Sequence, residues 1–177
     1  KPQDAMKTFE MCNPIVPKQK VKSTKYAMNE DFASQYYGIV LHKILENMDE
    51  FKIESFKKSF QIVRNKYHYF LANDAFESIF EKLDSFLNDE IFASLLAMTT
   101  KIYKEQPFVF DGDLKIVDLL LECDDFWVVI DYKTGAKNSE HFTQVKNYKT
   151  ALSNILAKPI LGFVVYVWEK PEFFEVN

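Results

Sequence analysis

The stretch FWVVIDYK at positions 126–133 decides the fold of this chain. Its apolar run ends in Asp131, Tyr132 and Lys133, a pattern typical of a buried strand that terminates in polar residues. Because side chains alternate between the two faces of a strand, Asp131 and Lys133 project to one side and Tyr132 to the other. The sequence therefore places a carboxylate beside an ammonium group at the end of a strand.

A second carboxylate, Asp118, lies in the preceding apolar stretch LKIVDLL at positions 114–120. The acidic segment ECDD at 122–125 predicts a short turn that joins the two stretches as antiparallel strands. Magnesium binds carboxylate oxygens, and a nearby lysine can orient a water or offset charge on a phosphate. This combination indicates metal-dependent hydrolysis of a nucleic-acid backbone. Such a tripeptide taken alone favours a structural interpretation, in which Asp131 ends a buried strand and Lys133 lies in a solvated exit turn.

Four motifs occur in order from Gly38 to the C-terminus: GIVLHKILE at 38–46, EQPF at 105–108, DYKTG at 131–135 and QVKNY at 144–148. Together they resemble the Gly-x-x-x-His, Glu-x-Pro-Phe, Asp-Tyr-Lys-Thr-Gly and Gln-x-x-x-Tyr motifs of the RecB-type nucleases, a branch of the PD-(D/E)xK superfamily. One departure is that KIVD at 115–118 stands where that family often has Gly-Arg-Ile-Asp. The aspartate is retained, and Lys115 is the candidate for the missing basic contact.

The resemblance implies a role for each matched residue. It implies that His42, Asp118 and Asp131 bind Mg²⁺, with Mn²⁺ as a substitute and the Tyr132 carbonyl as a further ligand. Lys133 would be the catalytic lysine. The remaining pair, Gln144 and Tyr148, one helical turn apart, would support the site or contact DNA. On spacing alone, His42 is an ordinary histidine at the edge of a helical apolar face, and His68 and His141 have no assignment.

The order of apolar patterns predicts an α/β fold. We expect a helix over about 29–48, a block of aromatic-rich helices, strands over 105–110, 114–121 and 126–132, a helix over about 139–157 and a strand over 160–168. The DGD turn at 111–113 predicts a hairpin, and ND at 73–74 and at 88–89 predicts helix caps. The resemblance implies a PD-(D/E)xK restriction-endonuclease-like core of helix, three antiparallel strands, helix and strand, with the helical block inserted.

Composition favours one domain with a sizeable core, since 47% of the 177 residues are hydrophobic. We expect a single nuclease domain over 29–177, with a helical part over about 29–100 and a sheet part over about 101–177. The lysine- and proline-containing residues 1–28 are interpreted as a linker from an upstream domain. Two cysteines are too few for a four-cysteine iron–sulfur cluster. We expect a soluble, cytoplasmic protein with no membrane partner.

The resemblance implies an exodeoxyribonuclease V-like enzyme, the nuclease module of a RecB- or AddA-like helicase–nuclease in double-strand-break repair and recombination. The chain has no Gly-x-x-x-x-Gly-Lys loop, so a helicase would have to be upstream in the same chain or in a second subunit. A net charge of −4 argues mildly against a large DNA surface, although Lys133, Lys137, Lys146 and Lys149 are candidates for a local basic strip that leads to the site. Two alternatives stay open: a stand-alone nuclease of the same family, and a catalytically silent scaffold that binds DNA or a partner.

Overall fold

The computed structural model describes residues 30–177, and the linker predicted over residues 1–28 lies outside this range. The described residues form five helices and five strands in one mixed α/β unit, which confirms the predicted class. The elements are α1 (Glu30–Asn47), α2 (Ile53–Tyr67), α3 (Asn73–Leu87), α4 (Glu90–Ala97), β1 (Thr99–Phe110), β2 (Asp113–Cys123), β3 (Trp127–Lys133), α5 (Ser139–Ser153), β4 (Ile160–Tyr166) and β5 (Glu172–Glu175). None of the helices in this range has the length and apolarity that crossing a membrane requires.

The five strands form one sheet in the order β1-β2-β3-β4-β5. Strands β1, β2 and β3 are antiparallel neighbours, and β3 pairs with β4 in parallel. Helix α5 makes the crossover that a parallel pair requires. The predicted hairpin between β1 and β2 is confirmed: Phe110 pairs with Asp113, and the two turn residues, Asp111 and Gly112, have φ values of 51° and 81°. Positive φ at both positions is the requirement of a type I′ hairpin turn.

Two layers of helices cover the sheet. Helices α1 to α4 pack on one face, where their buried aromatic and aliphatic side chains meet Leu119, Leu121, Val128 and Ile130. Helix α5 covers the other face through Val145, Tyr148, Ala151 and Leu152. The helical block therefore covers one side of the sheet, as the sequence predicts.

Several predicted boundaries are wrong. Strand β1 begins at Thr99, directly after α4, instead of at position 105, and α5 ends at Ser153 instead of near 157. The short edge strand β5 was not predicted, because four residues after Pro171 are too few to show an alternating pattern. Asp89 caps α4 as predicted, since its side chain accepts hydrogen bonds from the N–H groups of Ile91 and Phe92. The other cap is wrong: Asn73 is the first residue of α3 and Ala72 occupies the cap position.

The sheet splits between β2 and β3. These strands pair only from Leu119 with Ile130 to Glu122 with Trp127. Beyond that point β2 continues along β1, and β3 continues along β4. Asp118 and Asp131 are the first residues past the last shared pair, one on each strand. We call this opening the fork, defined by Asp118, Leu119, Ile130 and Asp131.

Candidate active site

The fork leaves backbone groups of β3 without a partner strand on one side. Past Ile130, the β3 backbone no longer pairs with β2. The N–H of Tyr132 instead donates to Asp118 Oδ2 over 2.7 Å. A backbone N–H rarely stays unpaired in a protein interior, so the Asp118 carboxylate replaces the missing strand partner and is fixed across the opening.

Three side chains converge beside the Asp118 carboxylate. Each of His42, Glu105 and Asp118 offers one ligand atom, and these atoms lie within 4.8 Å of one another. His42 Nδ1 is 3.5 Å from Asp118 Oδ1. Helix α1 holds His42 because Val40, Leu41, Ile44 and Leu45 anchor the helix in the core.

Gly38 sits one turn before His42 on α1, as the Gly-x-x-x-His motif has it. A Cβ atom added at Gly38 would lie 3.4 Å from Thr134 Oγ1. Helix α1 therefore passes close to the segment that leaves β3, which brings His42 near the fork, although this distance is an ordinary van der Waals contact that does not by itself require glycine.

Glu105 is the residue that sequence reasoning missed. It has a φ of 47°, and its neighbours Lys104 and Gln106 pair with Leu119 and Val117, so Glu105 lies opposite Asp118. Simple alternation along a strand does not reveal this irregular position, since a positive φ turns a side chain away from the regular pleat. The available signal was the EQPF motif at 105–108, whose glutamate had no assigned role.

The electrostatics of the site reflect crowded carboxylates. Burial, together with the nearby Asp118 and Glu46, raises the pKa of Glu105. Burial acts to lower the pKa of His42, but its contact with Asp118 and the charges of Asp118, Glu105 and Asp131 outweigh that effect and raise it. Burial and the charge of Asp118 raise the pKa of Asp131 to about 6, although Lys133 opposes the shift. The donor set, one imidazole and several carboxylates that repel one another, fits a divalent cation.

Asp131 and Lys133 project to the same side of β3, in agreement with the predicted alternation. Lys133 Nζ is 2.7 Å from Asp131 Oδ2 and donates to Gln144 Oε1 over 3.1 Å. The Asp131 side chain is buried, and its Oδ2 has the ion pair but no hydrogen bond of good geometry within residues 30–177. Its carboxylate stands outside the tight group formed by His42, Glu105 and Asp118, because it is turned toward Lys133.

The remaining predicted residues surround this centre. Gln144 also donates from Nε2 to the hydroxyl of Tyr148 over 2.6 Å, so these two residues of α5 hold Lys133 from the far side. The ring of Tyr132 points to the other face, where it lies 5.9 Å from the His42 ring and 5.5 Å from the Phe86 ring. The role of the Tyr132 carbonyl as a ligand stays a prediction, as do the roles assigned to the other residues.

Open space adjoins the site on both sides of the sheet. A cavity of about 330 Å³ is lined by Gly38, Ile39, His42, Lys43, Glu46 and Glu105. A second cavity, of about 530 Å³, reaches Gln144 and Tyr148 from the hairpin between β1 and β2. Open space therefore reaches His42 and Glu105 on one side of the fork and Gln144 and Tyr148 on the other.

No protein-family model and no curated protein matches the chain. Among solved structures, the chain is similar to a protein from Eubacterium rectale whose name describes it as a candidate exonuclease, with a TM-score of 0.51 and 9% sequence identity. That match covers 81% of this chain and 58% of the other protein, so this chain spans little more than half of its length. A second structure, of the protein SSO0001, matches with a TM-score of 0.33 and 16% identity over 77% of this chain and 65% of that chain. The first match shows a shared fold.

Proposed function

We propose that residues 29–177 form a single metal-dependent nuclease domain that hydrolyses phosphodiester bonds of DNA. The observation that carries this proposal is the fork, where Asp118 and Asp131 flank an opening that also receives His42, Glu105 and Lys133. The fold shared with a protein named as a candidate exonuclease supports it.

Each residue has a part in the proposed reaction. His42, Glu105, Asp118 and Asp131 would hold Mg²⁺, or Mn²⁺ in its place. When bound, such a cation polarises the phosphodiester and lowers the pKa of a bound water. The Lys133 ammonium, held by Asp131 and Gln144, donates hydrogen bonds to the attacking water or to a phosphate oxygen and offsets the negative charge that develops there. Water forms the new bond to phosphorus and loses a proton, the bond to the ester oxygen breaks, and that oxygen takes up a proton, so the products are a phosphate monoester and a hydroxyl.

We further propose that the domain acts within a RecB- or AddA-like helicase–nuclease, with helicase activity supplied by an upstream domain or a second subunit, in double-strand-break repair. The motif order from Gly38 to Tyr148 supports this assignment. A stand-alone nuclease would share the site and differ in the natural gene, which would lack helicase motifs upstream. A silent scaffold would have no need to bind metal at the fork.

The test is cleavage of labelled linear single-stranded and double-stranded DNA in Mg²⁺ and in Mn²⁺. We expect EDTA to abolish cleavage and Lys133→Ala to lower its rate by about 10²–10³-fold, the typical effect of removing one charge-stabilising donor. Lys58→Ala is the matched control, because Lys58 is an ion-paired but exposed lysine on α2 and its removal should leave the rate unchanged.

Cleavage that persists in EDTA, or equally fast cleavage by the Lys133→Ala variant, would contradict the proposal. No cleavage and no effect of Mg²⁺ or Mn²⁺ on the melting temperature would favour the scaffold. A metal-dependent rise in melting temperature without cleavage would point to a missing helicase partner.

A further inference from the structure

His141 lies in the first turn of α5, on the face of the sheet that carries Lys133. Tyr166 and Lys133 are paired neighbours on β4 and β3. Paired residues of adjacent strands project to the same face and lie about 4.8 Å apart. The buried Tyr166 hydroxyl lies 2.9 Å from His141 Nδ1. The imidazole is therefore held one strand away from the lysine of the proposed reaction.

The hydrogen bonds of Tyr166 favour one tautomer of the His141 ring. The backbone N–H of Asn138 donates to the Tyr166 hydroxyl oxygen over 3.2 Å. A phenol has one proton of its own to donate, and His141 Nδ1 is the acceptor that residues 30–177 offer it. With Nδ1 as acceptor, the proton of the neutral ring is on Nε2.

Nε2 is the free end of this arrangement. His141 is half-buried, and its Nε2 makes no hydrogen bond to any of the described residues. Burial and the nearby Lys133 charge lower the pKa of His141, which favours the neutral ring. Sequence reasoning assigned His141 no role, whereas the structure holds its imidazole near the Lys133 charge.

We propose that the Nε2–H of His141 donates a hydrogen bond to a backbone phosphate of the DNA strand whose scissile phosphate lies at Lys133. This inference rests on the proposed nuclease function. Side-chain contacts to phosphates position the strand and carry no sequence information. Tyr166 is then a positioning residue, which acts only through His141.

The substitution His141→Ala tests the contact, with KM and kcat measured on DNA and Kd measured with Ca²⁺ in place of Mg²⁺. A lost neutral hydrogen bond should raise KM and Kd about 3- to 10-fold on DNA of any sequence and leave kcat within about twofold. Because no charge is removed, the dependence of Kd on salt concentration should keep its slope.

Two conservative variants separate a donor from a structural role. The His141→Gln amide nitrogen reaches about as far as Nε2 and should restore KM and Kd, whereas the shorter His141→Asn amide should not. Tyr166→Phe should raise KM as His141→Ala does, and the two changes together should cost no more than either alone. Nitrogen-15 NMR should show the proton of His141 on Nε2 in the unmodified protein. His68→Ala is the matched control, since His68 is exposed and bonds only to the Asn65 carbonyl among the described residues.

Unchanged KM and Kd in His141→Ala would overturn the inference, as would rescue by asparagine as complete as by glutamine. If the unmodified protein cuts DNA and the His141→Ala variant has the same KM and Kd as the unmodified protein, the inference fails and the nuclease function stands. If the unmodified protein neither cuts nor binds DNA, both fail. If it binds DNA without cutting, the Kd values alone decide the matter for His141.

Discussion

The helical block and the fork both bury their side chains, but they bury different chemistry. In α2 to α4 the buried side chains are mainly aromatic and aliphatic, and their rings are closely packed: the ring centroids of Phe56 and Phe80 are 4.8 Å apart and those of Phe60 and Phe80 are 5.1 Å apart. The buried polar side chain of this block, Ser59, donates to the Ile44 carbonyl over 2.6 Å.

At the fork, in contrast, the Asp131 carboxylate is buried beside Asp118, with one oxygen lacking a hydrogen bond of good geometry among the described residues. Burial of apolar surface stabilises a fold, whereas burial of charge destabilises it unless the charge is compensated. The comparison teaches that the side chains that stabilise the fold and those of the proposed reaction lie in separate parts of this molecule.

The largest expected effect lies in the helical block. Phe56→Ala removes a fully buried ring that packs on Phe60 and Phe80. We expect the free energy of unfolding to fall by ~3–5 kcal/mol, measured by urea denaturation. The half-exposed Ile62 on the same helix is the control, because Ile62→Ala should change it by less than about 0.5 kcal/mol. A fall in the cleavage rate per folded molecule in Phe56→Ala would contradict the contrast between the helical block and the fork.

Glu105→Gln sharpens the description of the fork. The substitution keeps the size of the side chain and removes one charge from the group formed with His42 and Asp118. We expect Mg²⁺ and Mn²⁺ to bind about 10- to 100-fold more weakly, measured by isothermal titration calorimetry. Glu46 lines the same cavity but lies outside that group. The Glu46→Gln variant is therefore the control, and its affinity for Mg²⁺ and Mn²⁺ should match that of the unmodified protein. Equal metal affinities for all three proteins would show that Glu105 is not a metal ligand.

Asp131→Asn should change the free energy of unfolding least, but the sign of that change is diagnostic. It removes a carboxylate whose charge is disfavoured by burial and by Asp118, while Lys133 keeps its hydrogen bond to Gln144. In EDTA at neutral pH we expect the free energy of unfolding to rise by on the order of 1 kcal/mol, since the lost ion pair with Lys133 offsets part of the gain. Thermal and urea unfolding measure it.

Asp125→Asn, the same change on the exposed turn between β2 and β3, is the control for Asp131→Asn and should be neutral. Cleavage should be lost in Asp131→Asn and retained in Asp125→Asn. A lower free energy of unfolding in Asp131→Asn would show that the carboxylate stabilises the metal-free fold, which would contradict the contrast between the two regions.

Much of the fold could be predicted because its signals are local. The alternation that places Asp131 beside Lys133, the hairpin at Asp111 and Gly112, and the Asp89 cap each depend on a few adjacent residues and are all present. The start of β1 at Thr99 could not be predicted, because one residue, Met98, separates it from α4 and no break marks the change.

The site was only partly accessible to sequence reasoning. His42 and Asp118 lie together as the resemblance implies, and their function as ligands stays a prediction. Glu105 was missed because its place in the group depends on a positive φ. His141 was missed because its neighbour Tyr166 comes from a strand 25 residues away in sequence. Contacts of this kind are set by tertiary packing, which no pattern of adjacent residues records.

The position of the fork also bears on how the site assembles during folding. Asp118 and Asp131 are separated by 13 positions and belong to the one hairpin of β2 and β3, whereas His42 lies 76 positions before Asp118. Local contacts form at a lower cost in chain entropy than distant ones. We therefore expect the two carboxylates to meet early, with their mutual repulsion, and the histidine on α1 to join them only when the helices dock on the sheet.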